Sequence, residues 1–383
     1  MRRDSTILIT ITVACILCGI SMIYSISAVQ VANSTIIFKH LVYLGLGSIA
    51  FLIMMYNDYH RLATPKMRRL IVMGTVVLLI LTFVPPFRQV RGGAARWVGM
   101  GPFVFQPSEL AKFCVVLLLS LRLTQNQEHI KKFCAGFLMP GCVAGFFCVI
   151  VIAQKDIGIP LVIALTTLLM ILVAGGSIRY TAVTGILGAV GGVCLIMMYD
   201  YRIDRVKAAL DPFKYRDTSG YHVVQSLSSF TQGGLWGSGA GAGEQKLGFL
   251  PAAHTDFIFA AYAEDFGLIG ALILLTLFLG LIFIGLRIAA NAPDMFGFLL
   301  ATGITLLLGV QTTFIMTVNL GLFPAKGLPL PFVSYGGSAL VVSLFMTGIL
   351  VNIGIQGELN PAGKKTSLLP RVRPPSFLSR STT

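Results

Sequence analysis

The residues whose types and spacing could do chemistry fall in four short segments. Asp256 follows His254-Thr255 and precedes Phe257-Ile258-Phe259, the start of a long apolar stretch, so it stands where water gives way to hydrocarbon. A carboxylate partly stripped of water has a raised pKa and makes a better general base. An aspartate there equally fits a helix cap that accepts the first amide protons. In a second segment, Glu109 and Lys112 follow the helix-start pair Pro107-Ser108. Their spacing of three puts both on one helix face, with Glu109 in the first turn, where the helix dipole favours an acid. Two such charges at the top of an apolar stretch are either functional or a stabilising ion pair. Arg96 beside Trp97 fits a phosphate ligand or an anchor at lipid headgroups. Lys326, within the segment from Pro324 to Pro331, could neutralise a phosphate. Asp156 sits with Gln154 and Lys155 in a turn that any short loop would tolerate.

Composition decides what kind of elements position these groups. Hydrophobic residues make up 55% of the 383 residues and charged residues 11%, against about 25% charged in soluble domains. Mean hydropathy is +0.83. Only a membrane protein fits. The formal charge of +14 follows from the Lys and Arg that cytoplasmic loops accumulate, and nucleic acid is not needed to explain it. All seven cysteines lie in apolar stretches, so no disulfide framework is implied. Cys15 and Cys18 have a CxxC spacing but no His or acid beside them, and read as small buried hydrophobes.

Stretches of about 20 apolar residues cross a bilayer as helices. On that rule ten spans are expected, near 6–28, 37–56, 68–86, 108–123, 133–153, 158–175, 178–199, 257–286, 296–322 and 333–355. The fold class is therefore an all-α polytopic membrane protein. Residues 1–356 form one ten-helix domain with a large outer loop, 200–255, between helices 7 and 8. Residues 357–383 form a basic, proline-containing tail without fixed structure. With the N-terminus inside, the inner segments and tail hold sixteen Lys and Arg and the short outer loops six. Both termini are thus cytoplasmic. Residues 233–243 are glycine-rich but lack the strand before and the Lys-Ser/Thr after that a phosphate loop requires, so close backbone packing is expected there.

The four segments are the connections between helices 3–4, 5–6, 7–8 and 9–10, with the adjoining helix ends. All are odd-numbered, so all lie on the outer side. Either they converge on one site or they are four separate surface loops. The three prolines of the last segment forbid regular helix before Val333, and irregular backbone at membrane depth is tolerated only where protein buries it or a cavity faces it.

At these residues the chain resembles the SEDS family (shape, elongation, division and sporulation proteins). The resemblance covers nearly the whole chain. It is carried by Arg96-Trp97 with Gln106-Pro-Ser-Glu-Leu-Ala-Lys112, by Gly234-Leu-Trp-Gly237, by His254-Thr-Asp-Phe-Ile-Phe259, and by the run Lys326-Gly-Leu-Pro-Leu-Pro-Phe-Val-Ser-Tyr-Gly-Gly-Ser338. The Lys326-Gly-Leu form is similar to division-associated members and is shared by spore-cortex relatives. Two departures stand out: Ile315 where many members carry Asn, and Asp265 where Glu is usual.

The resemblance implies a peptidoglycan glycosyltransferase that polymerises lipid II on the outer face of the bacterial cytoplasmic membrane, at the division septum. It puts the catalytic aspartate on Asp256. Arg96, Glu109, Lys112, Lys326, His254, Asp156 and Ser334 are the candidate substrate contacts. Undecaprenyl pyrophosphate would be the leaving group. No cofactor is required by sequence, though a divalent cation, Mg²⁺ or Mn²⁺, is compatible. The implied partners are lipid II and undecaprenyl lipids, a class B penicillin-binding protein transpeptidase and other divisome membrane proteins, with no nucleic acid. Two other classes fit a polytopic protein with a basic outer vestibule: a flippase that moves lipid II across the membrane, and a scaffold that recruits the transpeptidase.

Overall fold

The computed structural model describes residues 3–29, 34–91, 94–100, 103–198, 200–245, 249–324 and 327–359. Lys326 and the tail from Asn360 lie outside them. A helix occupies each of the ten apolar stretches: α1 (Arg3–Val29), α2 (Ser34–Tyr56), α4 (Pro65–Leu81) after the short α3 (His60–Ala63), α5 (Pro107–Gln125), α6 (Met139–Ala153), α7 (Gly158–Val173), α8 (Ile178–Met197), α11 (Ile258–Ala290), α12 (Met295–Asn319) and α13 (Gly337–Leu359). A π-helical turn, Phe133–Leu138, leads into α6. By length and composition, six are able to cross a membrane: α1, α2, the Phe133–Ala153 run, α11, α12 and α13. Helices α7 and α8 are shorter apolar helices, α4 has 17 residues, and α5 carries Glu109, Lys112 and Arg122.

The outer connections are more ordered than an irregular loop. Residues 88–105 form a three-stranded antiparallel sheet, β1 (Arg88–Arg91), β2 (Ala94–Met100) and β3 (Phe103–Phe105). Its β-branched and aromatic residues, among them Val90, Trp97, Val98 and Val104, favour strand. The large loop contains α9 (Asp200–Leu210) and α10 (Tyr221–Gly233). Helix α10 buries Val223, Ser226, Ser229 and Gly233, a spacing of three to four that lays one stripe against α11 and α12.

Helices α12 and α13 are buried over most of their length and form the centre, with α2 on α13 and α11, α5 and α7 on α12. Helix α11 has 33 residues, or about 50 Å at 1.5 Å per residue, against a hydrocarbon core of about 30 Å. Its exposed apolar residues run from Leu268 to Leu286, whereas Ile258 to Asp265 are buried in protein. The two parts meet at Gly267, whose φ of 67° breaks the helix. Four backbone groups beside the break are bonded by the glycine-rich loop. The carbonyls of Glu264 and Asp265 accept the amides of Ser238 (2.9 Å) and Gly239 (3.1 Å), and the amides of Leu268 and Ile269 donate to Gly234 (2.9 Å) and Leu235 (3.3 Å). The same loop covers the buried carboxylates. Glu264 accepts the Gln245 amide (3.0 Å), and Asp265 accepts the Gly241 amide (3.2 Å) and the Ser25 hydroxyl of α1 (3.3 Å). Close backbone packing, expected for this loop, is what it does.

Helix α1 approaches the proline-rich segment just as closely. A Cβ on Gly19 would lie 2.7 Å from the Val333 carbonyl oxygen and 2.8 Å from its Cα. Gly19→Ala is therefore expected to lower the thermal midpoint in detergent, because overpacking costs about 1–3 kcal/mol and outweighs the gain in helix propensity of about 1 kcal/mol. Gly74→Ala in α4, where nothing lies within 4 Å, should leave the midpoint unchanged or raise it.

Candidate active site

Asp256 lies on a tight turn built on Ala252, whose φ is 56°. The Ala252 carbonyl accepts the amides of Thr255, Asp256 and Phe257 at 3.0, 3.1 and 3.3 Å. Phe257 occupies the N-cap of α11 and makes no side-chain cap bond. The Asp256 carboxylate is thus not the cap of its own helix. The proline-rich segment fixes the turn from below. Ser334 Oγ donates to the Thr255 carbonyl (2.6 Å) and accepts the Leu330 amide (2.8 Å), and the Tyr335 amide donates to the His254 carbonyl (2.8 Å). Ser334 therefore uses its hydroxyl inside the protein. The His254 ring rests 5.8 Å from that of Tyr335, and burial holds its imidazole below the ordinary range.

Burial dominates the electrostatics of Asp256 and pushes its pKa up to about 7. Thr255, Arg96 and Arg205 oppose the rise, while the Asp156 charge adds to it. Arg96 and Asp256 face the same space. A Cβ placed on Gly327 would lie 3.3 Å from Asp256 Oδ2 and 3.7 Å from Arg96 Nη1.

Strand β2 aims that guanidinium by an irregularity. Trp97 pairs with Gln89 and Ala95 with Val90, leaving Arg96 as the extra residue of a bulge. Bulges re-aim side chains in this way. Arg96 Nη2 donates to the Lys155 carbonyl (3.0 Å) and Nη1 lies 3.5 Å from Asp156 Oδ2. Asp156, 2% exposed, also accepts the Gly158 amide (2.9 Å), at the start of α7. The turn that looked unremarkable in sequence thus holds Arg96 in place. Three of the four outer segments meet here, and the fourth, Gly327 to Ser338, lines the same space.

Glu109 and Lys112 form the ion pair that their spacing allows. Lys112 Nζ lies 2.8 Å from Glu109 Oε2 and donates to Gln311 Oε1 of α12. Gln311 Nε2 in turn donates to the Pro329 carbonyl (2.8 Å). Both charges are 1–2% exposed. An apolar span can carry them only paired, and the pair braces the proline-rich segment from inside. Lys326 lies outside the described residues.

Four further residues join the site. Gln311 and Asn319 are amides on an otherwise apolar α12, and the price of an unpaired amide in hydrocarbon was a signal for both. Asn319 Nδ2 donates to the Asp256 carbonyl (2.9 Å). Arg205 of α9 acts on Asp256 through its charge, and the His222 ring of α10 stacks on Phe257 at 5.9 Å. Neither had a signal while the loop read as irregular. Among the described residues no three His, Cys, Asp or Glu side chains group as metal ligands.

The family model for FtsW, RodA and SpoVE, described as cell cycle protein, matches residues 5–358. A probable peptidoglycan glycosyltransferase FtsW of Geobacter sp. (strain M18) is 37% identical over 344 residues, 88% of this chain and 92% of that one. Stage V sporulation protein E of Bacillus subtilis (strain 168) is 36% identical over 353 residues, 91% and 96% of the two chains. A chain from a solved peptidoglycan synthase complex that coordinates polymerization and crosslinking superposes with a TM-score of 0.77 at 25% identity, covering 91% of this chain and 97% of that one.

The buried pair sets a measurable expectation. Lys112→Met leaves Glu109 without its cation and should cost about 3–5 kcal/mol, seen as a lower thermal midpoint in detergent. Adding Glu109→Gln to that variant should recover most of the loss.

Proposed function

The chain belongs to the FtsW/RodA/SpoVE family of cell cycle proteins, and we infer from that membership and from the outer-face geometry that it is a peptidoglycan glycosyltransferase of the cytoplasmic membrane. Its substrate is lipid II, and Asp256 is its general base. The observation that carries the assignment of Asp256 is the joint position of that carboxylate and the Arg96 guanidinium beside Gly327.

The reaction joins the 4-hydroxyl of an incoming sugar to the anomeric carbon at the lipid-linked end of the growing strand. The new C–O bond forms as the bond to pyrophosphate breaks. The hydroxyl proton passes to Asp256, and undecaprenyl pyrophosphate leaves. A base whose pKa is pushed up to about 7 is matched to that task near neutral pH. Arg96, with Arg205 nearby, supplies fixed positive charge where the leaving group gathers negative charge. Lys326, adjoining Gly327, is a third candidate for that role. The energy lies in the donor, so no nucleotide site is called for.

Division is the setting we propose, with a class B penicillin-binding protein as the crosslinking partner. A polymerase reading is favoured over a flippase because Asp256, Arg96 and Asp156 gather at one face. A scaffold would have no use for a carboxylate and a guanidinium facing one space beside Gly327.

The test is polymerisation of labelled lipid II by purified protein, with and without the cognate transpeptidase, read as a glycan ladder. The ladder should vanish with Asp256→Asn while membrane insertion is unchanged. The wild-type rate should rise as pH passes upward through about 7, because the base acts deprotonated. An active Asp256→Asn variant would sink the assignment. Transport of lipid II across vesicles without any ladder would favour the flippase.

A further inference from the structure

We infer that Asn319 is a positioning residue for Asp256: it caps α11 from the neighbouring helix and so leaves the carboxylate free of that duty. The inference rests on Asp256 being the base. Asn319 is the last residue of α12 and is 0% exposed. Its side chain reaches three partners, all backbone. Nδ2 donates to the Asp256 carbonyl (2.9 Å) and to the Ile315 carbonyl one turn back on α12 (2.9 Å), and Oδ1 accepts the Ala260 amide (3.1 Å). The Asn319 carbonyl accepts the Ser226 hydroxyl of α10 (2.7 Å), which ties the large outer loop to the same point.

Helix starts leave amides without partners, and a side chain at the N-cap commonly accepts one from the second or third residue. Here the N-cap is Phe257, which has no side-chain oxygen to offer. Ala260 is the third residue of α11, and its amide is the one such a cap would take. Asp256, directly before Phe257, is the nearest carboxylate in the chain. Without Asn319 it is the group positioned to turn toward those amides. A carboxylate that accepts amide protons is stabilised in its charged form. It becomes a weaker base and is aimed away from the Arg96 side. Asn319 also fixes the carbonyl of Asp256 itself, so one side chain sets both the position and the freedom of the base.

The test compares Asn319→Leu, which keeps the bulk and removes the amide, with wild type in the lipid II polymerisation assay at several pH values. Equal amounts of monodisperse protein are used. The maximal rate should fall by about tenfold, a fraction of what a general base supplies. KM should stay within about twofold, since the substrate cations are untouched. The acid limb should move to lower pH than in the wild type measured alongside, because the freed carboxylate takes up the amides. Loss of the rate by an equal factor at every pH, with the limb unmoved, would overturn the inference and leave a packing role. So would an unchanged rate. Ser226→Ala removes only the tie to the Asn319 carbonyl and should move rate and limb the same way by a smaller factor. It decides the question in the same manner if Asn319→Leu does not fold. Asp256→Asn runs alongside. If that variant is active the base assignment itself fails, whereas an inactive Asp256→Asn with an unmoved limb in the Asn319 and Ser226 variants removes the positioning role alone.

Discussion

Everything around Asp256 depends on satisfying backbone that is not helical. Hydrocarbon offers no hydrogen bonds, so each such amide and carbonyl must find a partner within the protein. The proline-rich segment before α13 meets that requirement with a hydroxyl of its own and with groups on its neighbours. Gln311 takes the Pro329 carbonyl, Ser334 takes the Leu330 amide, and the Tyr335 amide goes to His254. The hydroxyl of Ser338 accepts the Gln106 amide (2.8 Å) and ties the start of α13 to that of α5. These bonds run between segments far apart in sequence. The site is therefore assembled only when the helices carrying its partners have packed.

The same rule sorts the acids. Glu109 is matched by Lys112, Asp156 by the Gly158 amide and Arg96, and Glu264 and Asp265 by amides of the glycine-rich loop. At Asp256 burial outweighs the groups that favour the charged form.

Much of this was legible in sequence, and the rest was not for physical reasons. Apolar length located the helices, because a bilayer demands it. The parity of the connections put Arg96, Asp156, Asp256 and the proline-rich segment on one face, which is where the structure has them. Spacing correctly paired Glu109 with Lys112, but spacing cannot tell an inward face from an outward one. That choice depends on Gln311, some 200 positions away. The alternation in 88–105 was too short and too interrupted by glycine to read as strand. Ile315 stands where many members of the family carry Asn. Asn319 lies one turn along the same face of α12 and bonds to the Ile315 carbonyl, a relation that only helical geometry reveals.

The break at Gly267 makes α11 two rods joined at one residue, eleven positions beyond Asp256. The lower rod faces lipid, and the upper rod is held by α10, α12 and the glycine-rich loop. Helices answer a mismatch in bilayer thickness by tilting. In an unbroken helix that tilt would swing the outer end through several ångströms. Here the glycine-rich loop bonds to Leu268 and Ile269 on one side of the break and to Glu264 and Asp265 on the other, so one clasp holds both rods. The break is thus splinted by a loop that lies outside the helix, which holds the start of α11 to the rest of it.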